Sequence, residues 1–223
     1  MTTTDDKKSK ARRVRTSKFR MSFPSLLKPR ERDDGTPKYE LTMLFPPGLD
    51  QKPLKAALFA AMMDKYGAEQ KDWPKLRRGP KDVIRDFAAY NAESKNPLPG
   101  DWTDWTLIRA SAGTKFPLQV VGPRKDESGV FPKISDEREV YAGRWAKAML
   151  DAYVYDRKDG RGVTFGLGSV QLLDHDKRFG GGASSKPEED FEDASAEEWA
   201  GDADAFDDGG GSKATAATND SEW

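Results

Sequence analysis

The 223-residue chain contains no cysteine and a single histidine, His175. Without cysteine there are no disulfide staples, no thiol nucleophiles and no cysteine metal sites, which fits a reducing compartment. With one histidine, any Ser-His-Asp arrangement would have to use His175, and an HExxH zinc site cannot form. His175 sits in Asp174-His175-Asp176-Lys177, which reads as an exposed turn. There is no GxxxxGK[ST] phosphate loop. No apolar run reaches membrane-spanning length, and the N-terminus has no signal-peptide apolar region, so a soluble intracellular protein is expected. Hydrophobic residues are also scarce, at 36% against 34% charged. That balance implies sizeable disordered segments. They fall at both ends, and removing them leaves about 160 residues, enough for one core. The expectation is a protein without catalytic activity, cofactor or metal.

What the chain does have is charge, unevenly placed. Residues 186–223 carry 13 acids and 2 bases, so the totals of 38 and 37 leave 25 acids and 35 bases for residues 1–185. A body of +10 is joined to a tail of −11, and the net charge of −1 conceals both. A basic body suggests a polyanionic partner. The tail interleaves acids with isolated aromatics: Phe191, Trp199, Phe206 before Asp207-Asp208, and Glu222-Trp223 at the end. Bulky aromatics have no use in a purely solvating tail. A terminal aromatic beside acids can enter an apolar pocket while a cation holds its carboxylate. Phe206, Asp207, Asp208, Glu222 and Trp223 are therefore candidate partner-binding residues.

Between the ends, period-2 patterns dominate. Phe19, Met21 and Phe23 alternate with Lys18, Arg20 and Ser22; Tyr39, Leu41, Met43 and Phe45 alternate with Glu40, Thr42 and Leu44. Leu54, Leu58, Ala61 and Met62 switch to helical spacing over residues 53–66, and Gly67 is placed to cap that helix. Residues 70–102 read as loop with a short helix at 81–91. Further strands are expected at 105–111, 116–121, 141–155 and 162–173. Five or six strands with one early helix predict a mainly β fold, an OB-fold-like small barrel with an inserted helix and loops and with disordered termini. Residues 1–17 are expected to be a flexible basic arm, 18–182 the barrel domain, and 183–223 a disordered acidic tail.

The strand at 141–155 is the most informative stretch. One face reads Ala142, Arg144, Ala146, Ala148, Leu150, Ala152 and Val154, suited to a tight barrel interior. The other reads Gly143, Trp145, Lys147, Met149, Asp151, Tyr153 and Tyr155. Aromatics mixed with lysine on an outward face suit the stacking of unpaired bases beside a phosphate contact. Equally, such aromatics can cover a second small core, since strands favour Tyr and Trp. On the first reading Trp145, Tyr153 and Tyr155 stack bases while Lys147, Arg157, Lys158 and Arg161 hold phosphates. Arg20, Lys115 beside Phe116, and Trp73 ahead of a basic run at 75–81 are further candidates. Two other classes remain open: an acidic DNA mimic whose body is only a scaffold, and a metal-dependent nuclease built from scattered carboxylates.

The segments Phe19-Arg20-Met21-Ser22-Phe23-Pro24, Pro37-Lys38-Tyr39-Glu40-Leu41, Val140-Tyr141-Ala142-Gly143-Arg144-Trp145, Ala152-Tyr153-Val154-Tyr155 and Gly162-Val163-Thr164-Phe165-Gly166-Leu167 share order and spacing with a known family. Over residues 18–182 and in the style of its tail, the chain resembles the phage-encoded OB-fold single-stranded DNA-binding proteins that end in an acidic, aromatic-tipped tail. The resemblance implies sequence-independent binding of single-stranded DNA in phage DNA replication, recombination and repair. It implies cooperative or dimeric binding, leaving a homodimer open, in the cytoplasm of the bacterial host. It implies a tail that meets phage or host replication proteins, with neither catalysis nor a membrane involved. Residues 71–99 have no counterpart in the pattern.

Overall fold

Apolar side chains at every second position of several segments build the strands of the molecule. The computed structural model describes residues 9–158 and 160–179. Its strands are β1 (Arg13–Arg15), β2 (Phe19–Glu31), β3 (Pro37–Phe45), β4 (Ile84–Asp86), β5 (Thr106–Gly113), β6 (Gln119–Val121), β7 (Trp145–Arg157) and β8 (Gly160–Leu172). Helix α1 (Lys52–Tyr66) follows β3, and the short helices α2 (Pro80–Val83) and α3 (Phe87–Ala92) flank β4. The strands run in the order β1-β7-β2-β3-β5-β8-β6, with β4 beside β5, and pairing of β7 with β8 closes the ring. Closure joins β7, β2, β3, β5 and β8 in the ring and leaves β1, β4 and β6 as short outer strands. The fold is the mainly β barrel with an inserted helix that the sequence implies.

Alternation decides what fills the barrel. Ala146, Ala148, Leu150 and Ala152 of β7 point inward with Val163, Phe165 and Leu167 of β8 and Leu41, Met43 and Phe45 of β3. Small residues on β7 leave room for the phenylalanines, and each fully buried Phe or Leu contributes about 1.5–3 kcal/mol. Helix α1 covers one opening with Leu54, Leu58, Ala61 and Met62, and ends where Gly67, at φ +89°, donates its N–H to Met63 O. A second small core of Leu44, Phe87 and Leu107 lies on the other side of β3, under Tyr90, Trp102, Trp105 and Phe179.

Four local expectations change. Arg13–Arg15, read as part of a flexible arm, is a strand: Val14 is buried opposite Leu150, and Thr16 exchanges two 2.9 Å hydrogen bonds with the Ala148 backbone. The helix expected at 81–91 is split, because Ile84–Asp86 pairs with β5. Strand β7 starts at Trp145 rather than at 141. Ahead of it Gly143 takes φ +103°, and a Cβ there would meet Lys177 O at 2.3 Å. Arg144 is consequently buried not as a barrel wall residue but as a polar clamp, donating to the carbonyls of Leu173 and Glu139 and to the Glu139 carboxylate. Finally Phe23 does not follow Phe19 and Met21 inward. Ser22 pairs with Thr42 but Ser25 with Glu40, so three residues of β2 oppose two of β3. This bulge turns Phe23 to the outside.

Candidate nucleic-acid interface

The β2–β3 and β7–β8 hairpins rise beside each other and enclose a groove of about 750 Å³. Thr42, Arg109, Ser111 and Thr164 lie along it, with Arg30, Arg32 and Lys38 from one hairpin and Tyr153, Tyr155 and Arg157 from the other. The outward parity of β3 and β5 sets the middle: Thr42 stands opposite Arg109, their neighbours Met43 and Ile108 being buried.

The aromatic surfaces are held by backbone features. Phe23 takes φ +45° and is 65% exposed, a strained conformation for a bulky residue and an unusual exposure for a phenylalanine. Tyr155 faces Gly162 across the β7–β8 pair, and a Cβ on that glycine would come within 2.4 Å of the tyrosine oxygen. Tyr153 passes 3.5 Å from the corresponding position of Gly166. The glycines of β8 thus leave the space in which the two rings lie down on the sheet. Cation and ring are adjacent as well, with the Arg157 guanidinium 5.2 Å from the Tyr155 ring centre.

Six cations, Arg30, Arg32, Lys38, Arg78, Arg109 and Arg157, line the groove against four carboxylates, Glu31, Asp33, Asp34 and Glu40, so its net charge is positive. Arg32 is paired with Glu40. Arg30, Lys38, Arg78, Arg109 and Arg157 form no side-chain ion pair among the described residues. Burial holds the Lys38 ammonium below the ordinary lysine range, and the nearby charges of Arg32 and Arg157 add to that effect. Cations brought this close repel one another, and a bound polyanion would relieve the repulsion. Of the acids at the rim, Asp34 is engaged by the Thr36 hydroxyl and N–H, which lower its pKa.

Residues 71–99 gain a place here. Arg77 N–H donates to Arg161 O and Val163 N–H to Arg78 O, so the insertion adds a short backbone pairing to β8. It thereby delivers Arg78 and, from α3, Tyr90 to the groove.

Of the residues singled out in the sequence, Tyr153, Tyr155 and Arg157 come together in this groove. Trp145 and Lys147 share their face of β7, but Trp145 is eight residues from Tyr153, about 26 Å along a strand. The Trp145 indole donates to Asp176 at 2.7 Å and lies 4.5 Å under the Lys18 ammonium. Arg20 is spent on structure: it donates to Gly143 O and Lys177 O, and covers Phe179 at 4.3 Å. Trp73 donates to Gly67 O and packs on Phe59, capping α1. Lys158 is exposed at the β7–β8 turn, and Arg161 points away from Tyr155 and pairs with Asp156. Lys115 stands in the β5–β6 loop over Phe116. His175 is exposed, 3.0 Å from the Tyr141 oxygen. The tail candidates Phe206, Asp207, Asp208, Glu222 and Trp223, and the disorder expected there, lie outside the described residues.

Phe23, Arg30, Lys38, Tyr90 and Arg109 were not singled out, and Arg78 only as a member of the basic run at 75–81. For Phe23 a signal existed: the following Pro24 has no N–H for the ladder, and a proline inside a strand pattern marks a bulge. The others come from separate elements and meet only when the barrel closes.

Comparison with known proteins places this architecture. The single-stranded DNA-binding protein of bacteriophage Enc34, solved in complex with ssDNA, superposes with a TM-score of 0.58 at 20% identity, covering 77% of this chain and 91% of that one. A C-terminal truncation of the same phage protein gives 0.57 at 20% identity, over 76% and 90%. These likenesses establish the shared OB-type barrel. "Putative protein p50" of Acyrthosiphon pisum secondary endosymbiont phage 1 is 25% identical over 190 residues, 83% of this chain and 96% of its own length. A family model described as "Enterobacter phage Enc34, ssDNA-binding protein" matches residues 12–203, and the chain belongs to that phage single-stranded DNA-binding protein family.

Proposed function

We propose that the groove between the β2–β3 and β7–β8 hairpins binds single-stranded DNA without sequence preference. The observation that carries this reading is the coincidence, in one groove, of outward aromatics with five cations that lack ion-pair partners among the described residues. Bases stack on Phe23, Tyr153 and Tyr155, since every base has a π-face and stacking is sequence-tolerant. Phosphates meet Arg30, Lys38, Arg78, Arg109 and Arg157. A duplex hides its base faces and gains little from such rings, so single strands are favoured.

Family membership and the ssDNA complex of the Enc34 protein support the same ligand. On this reading the protein coats single strands during phage DNA replication and recombination in the host cytoplasm, with no catalytic role. The tail, through Phe206, Asp207, Asp208, Glu222 and Trp223, competes for the groove and recruits replication proteins.

Fluorescence anisotropy of labelled oligo(dT) tests the groove. Tyr153→Ala is expected to weaken binding by about 1–3 kcal/mol, the worth of one stacked base. The thermal midpoint should stay put, because the ring lies on the outer face. Unchanged affinity in both Tyr153→Ala and Arg109→Ser would remove the groove as the binding site.

A further inference from the structure

The groove ends at Tyr153, but the outward row of β7 does not. Its next members are Asp151, Met149 and Lys147, and strand β1 lies alongside them, with Arg13 opposite Asp151 and Arg15 opposite Met149. Val14 between the two arginines is buried against Leu150, so both arginines share the outward face with Lys147. Arg13 and Arg15 are exposed. No carboxylate forms an ion pair with either of them or with Lys147 among the described residues, whereas Arg12, Lys18 and Arg20 are engaged by Asp64, Asp174 and Asp176. The basic segment is thus divided: one set of cations fastens the fold and the other stands free.

The neighbouring strip of β8 is almost bare. Gly166 faces Asp151, Ser169 faces Met149 and Gln171 faces Lys147, with Gly168 the extra residue of a bulge. Nothing acidic or bulky projects from it. Asp151 is the single acid of the β1–β7 row and opposes one of three cations, leaving the row net positive.

We propose that a single strand held in the groove continues along this face, its phosphates taken by Arg13, Arg15 and Lys147. The binding site then extends six residues along β7 from Tyr153, about 20 Å at the strand rise. This rests on the reading of the groove as the DNA site. The competing account is edge protection: β1 is an outer strand, and charged side chains on such strands block edge-to-edge association. The two accounts differ in what they predict for strand length and salt.

The experiment compares the full chain with Arg13→Ser/Arg15→Ser/Lys147→Ser. It uses oligo(dT) of about 5 and about 16 nucleotides, spanning the site sizes of an OB fold. On the longer strand the triple variant should lose affinity, and its log K against log salt slope should be shallower by about 2, from roughly 0.7 per phosphate. On the shorter strand variant and wild type should agree. Lys147→Ser alone, which leaves β1 untouched, should reduce the long-strand slope by about 0.7. If wild type binds both strands and the folded variants match it on the longer one at every salt concentration, the extension is wrong. Self-association of the triple variant would then identify the row as edge protection. If wild type binds neither strand, the groove reading fails and this inference with it.

Discussion

Phe23 sets stability against binding at a single position. Its φ of +45° lies in the region that costs an L-residue about 1–2 kcal/mol, and its ring is mostly exposed, so little burial offsets that cost. Replacement by glycine relieves the strain but adds about 0.5–1 kcal/mol of unfolded-chain entropy. Phe23→Gly should therefore be as stable as wild type or up to about 1.5 kcal/mol more stable. If the ring stacks a base, the same change should weaken oligo(dT) binding roughly tenfold or more. Denaturant unfolding and anisotropy on one preparation check both halves. A destabilised variant with undiminished DNA affinity would mean that Phe23 serves the fold. Reading alternation through Phe19, Met21 and Phe23 puts this ring in the core, and Pro24 is the physical reason it is not there: without an N–H Pro24 cannot continue the ladder, the register shifts between Ser22 and Ser25, and Phe23 inside that bulge is turned outward.

Strand β8 shows the same principle spread over an element. Its inward residues Val163, Phe165 and Leu167 give the barrel its wall, and its outward glycines give the tyrosines of β7 somewhere to lie. Gly162→Ala should separate the two functions. The added methyl would press on the end of the Tyr155 side chain, not on backbone, so the ring can lift while the strand stays paired. The expected outcome is a thermal midpoint close to wild type with weakened DNA binding. Loss of folding would show that the Tyr155 contact is part of the core. Elements of this kind were legible in the sequence because period-2 alternation survives wherever one face is buried: β3, β7 and β8 follow it nearly to their ends, and so did Tyr153, Tyr155 and Arg157. Short elements were not legible. Three residues of β1 or β4 carry too little pattern, and their strand state comes from partners more than 20 residues away, Leu150 for Val14 and Ile108 for Ile84. That Arg78 of the basic run at 75–81 shares a groove with Arg109 was hidden for the same reason, since only barrel closure brings the insertion and β5 together.

At the scale of the whole molecule the governing quantity is the opposition of a +10 body and a −11 tail. Five groove cations meeting five phosphates give an expected log K against log salt slope near −3.5, at about −0.7 per phosphate on single strands. In the full chain that slope cannot be fully expressed if the tail competes, because salt weakens the tail's own hold on the cations at the same time as it weakens the DNA's. A chain ending at Gly182 should therefore bind a groove-length oligo(dT) more tightly at low salt, with the steeper dependence. The two curves should converge as the screening length falls below about 8 Å, near physiological ionic strength and above. Anisotropy titrations of both chains across a salt series read this directly. Parallel lines offset by a constant would indicate a tail effect that is not electrostatic. Coincident lines would mean that the tail leaves the groove alone, so that its isolated aromatics between acids serve only a partner. Convergence is the outcome that ties the two charged halves of the sequence to one equilibrium. The tail would then set how much single strand must be present before the groove opens to it.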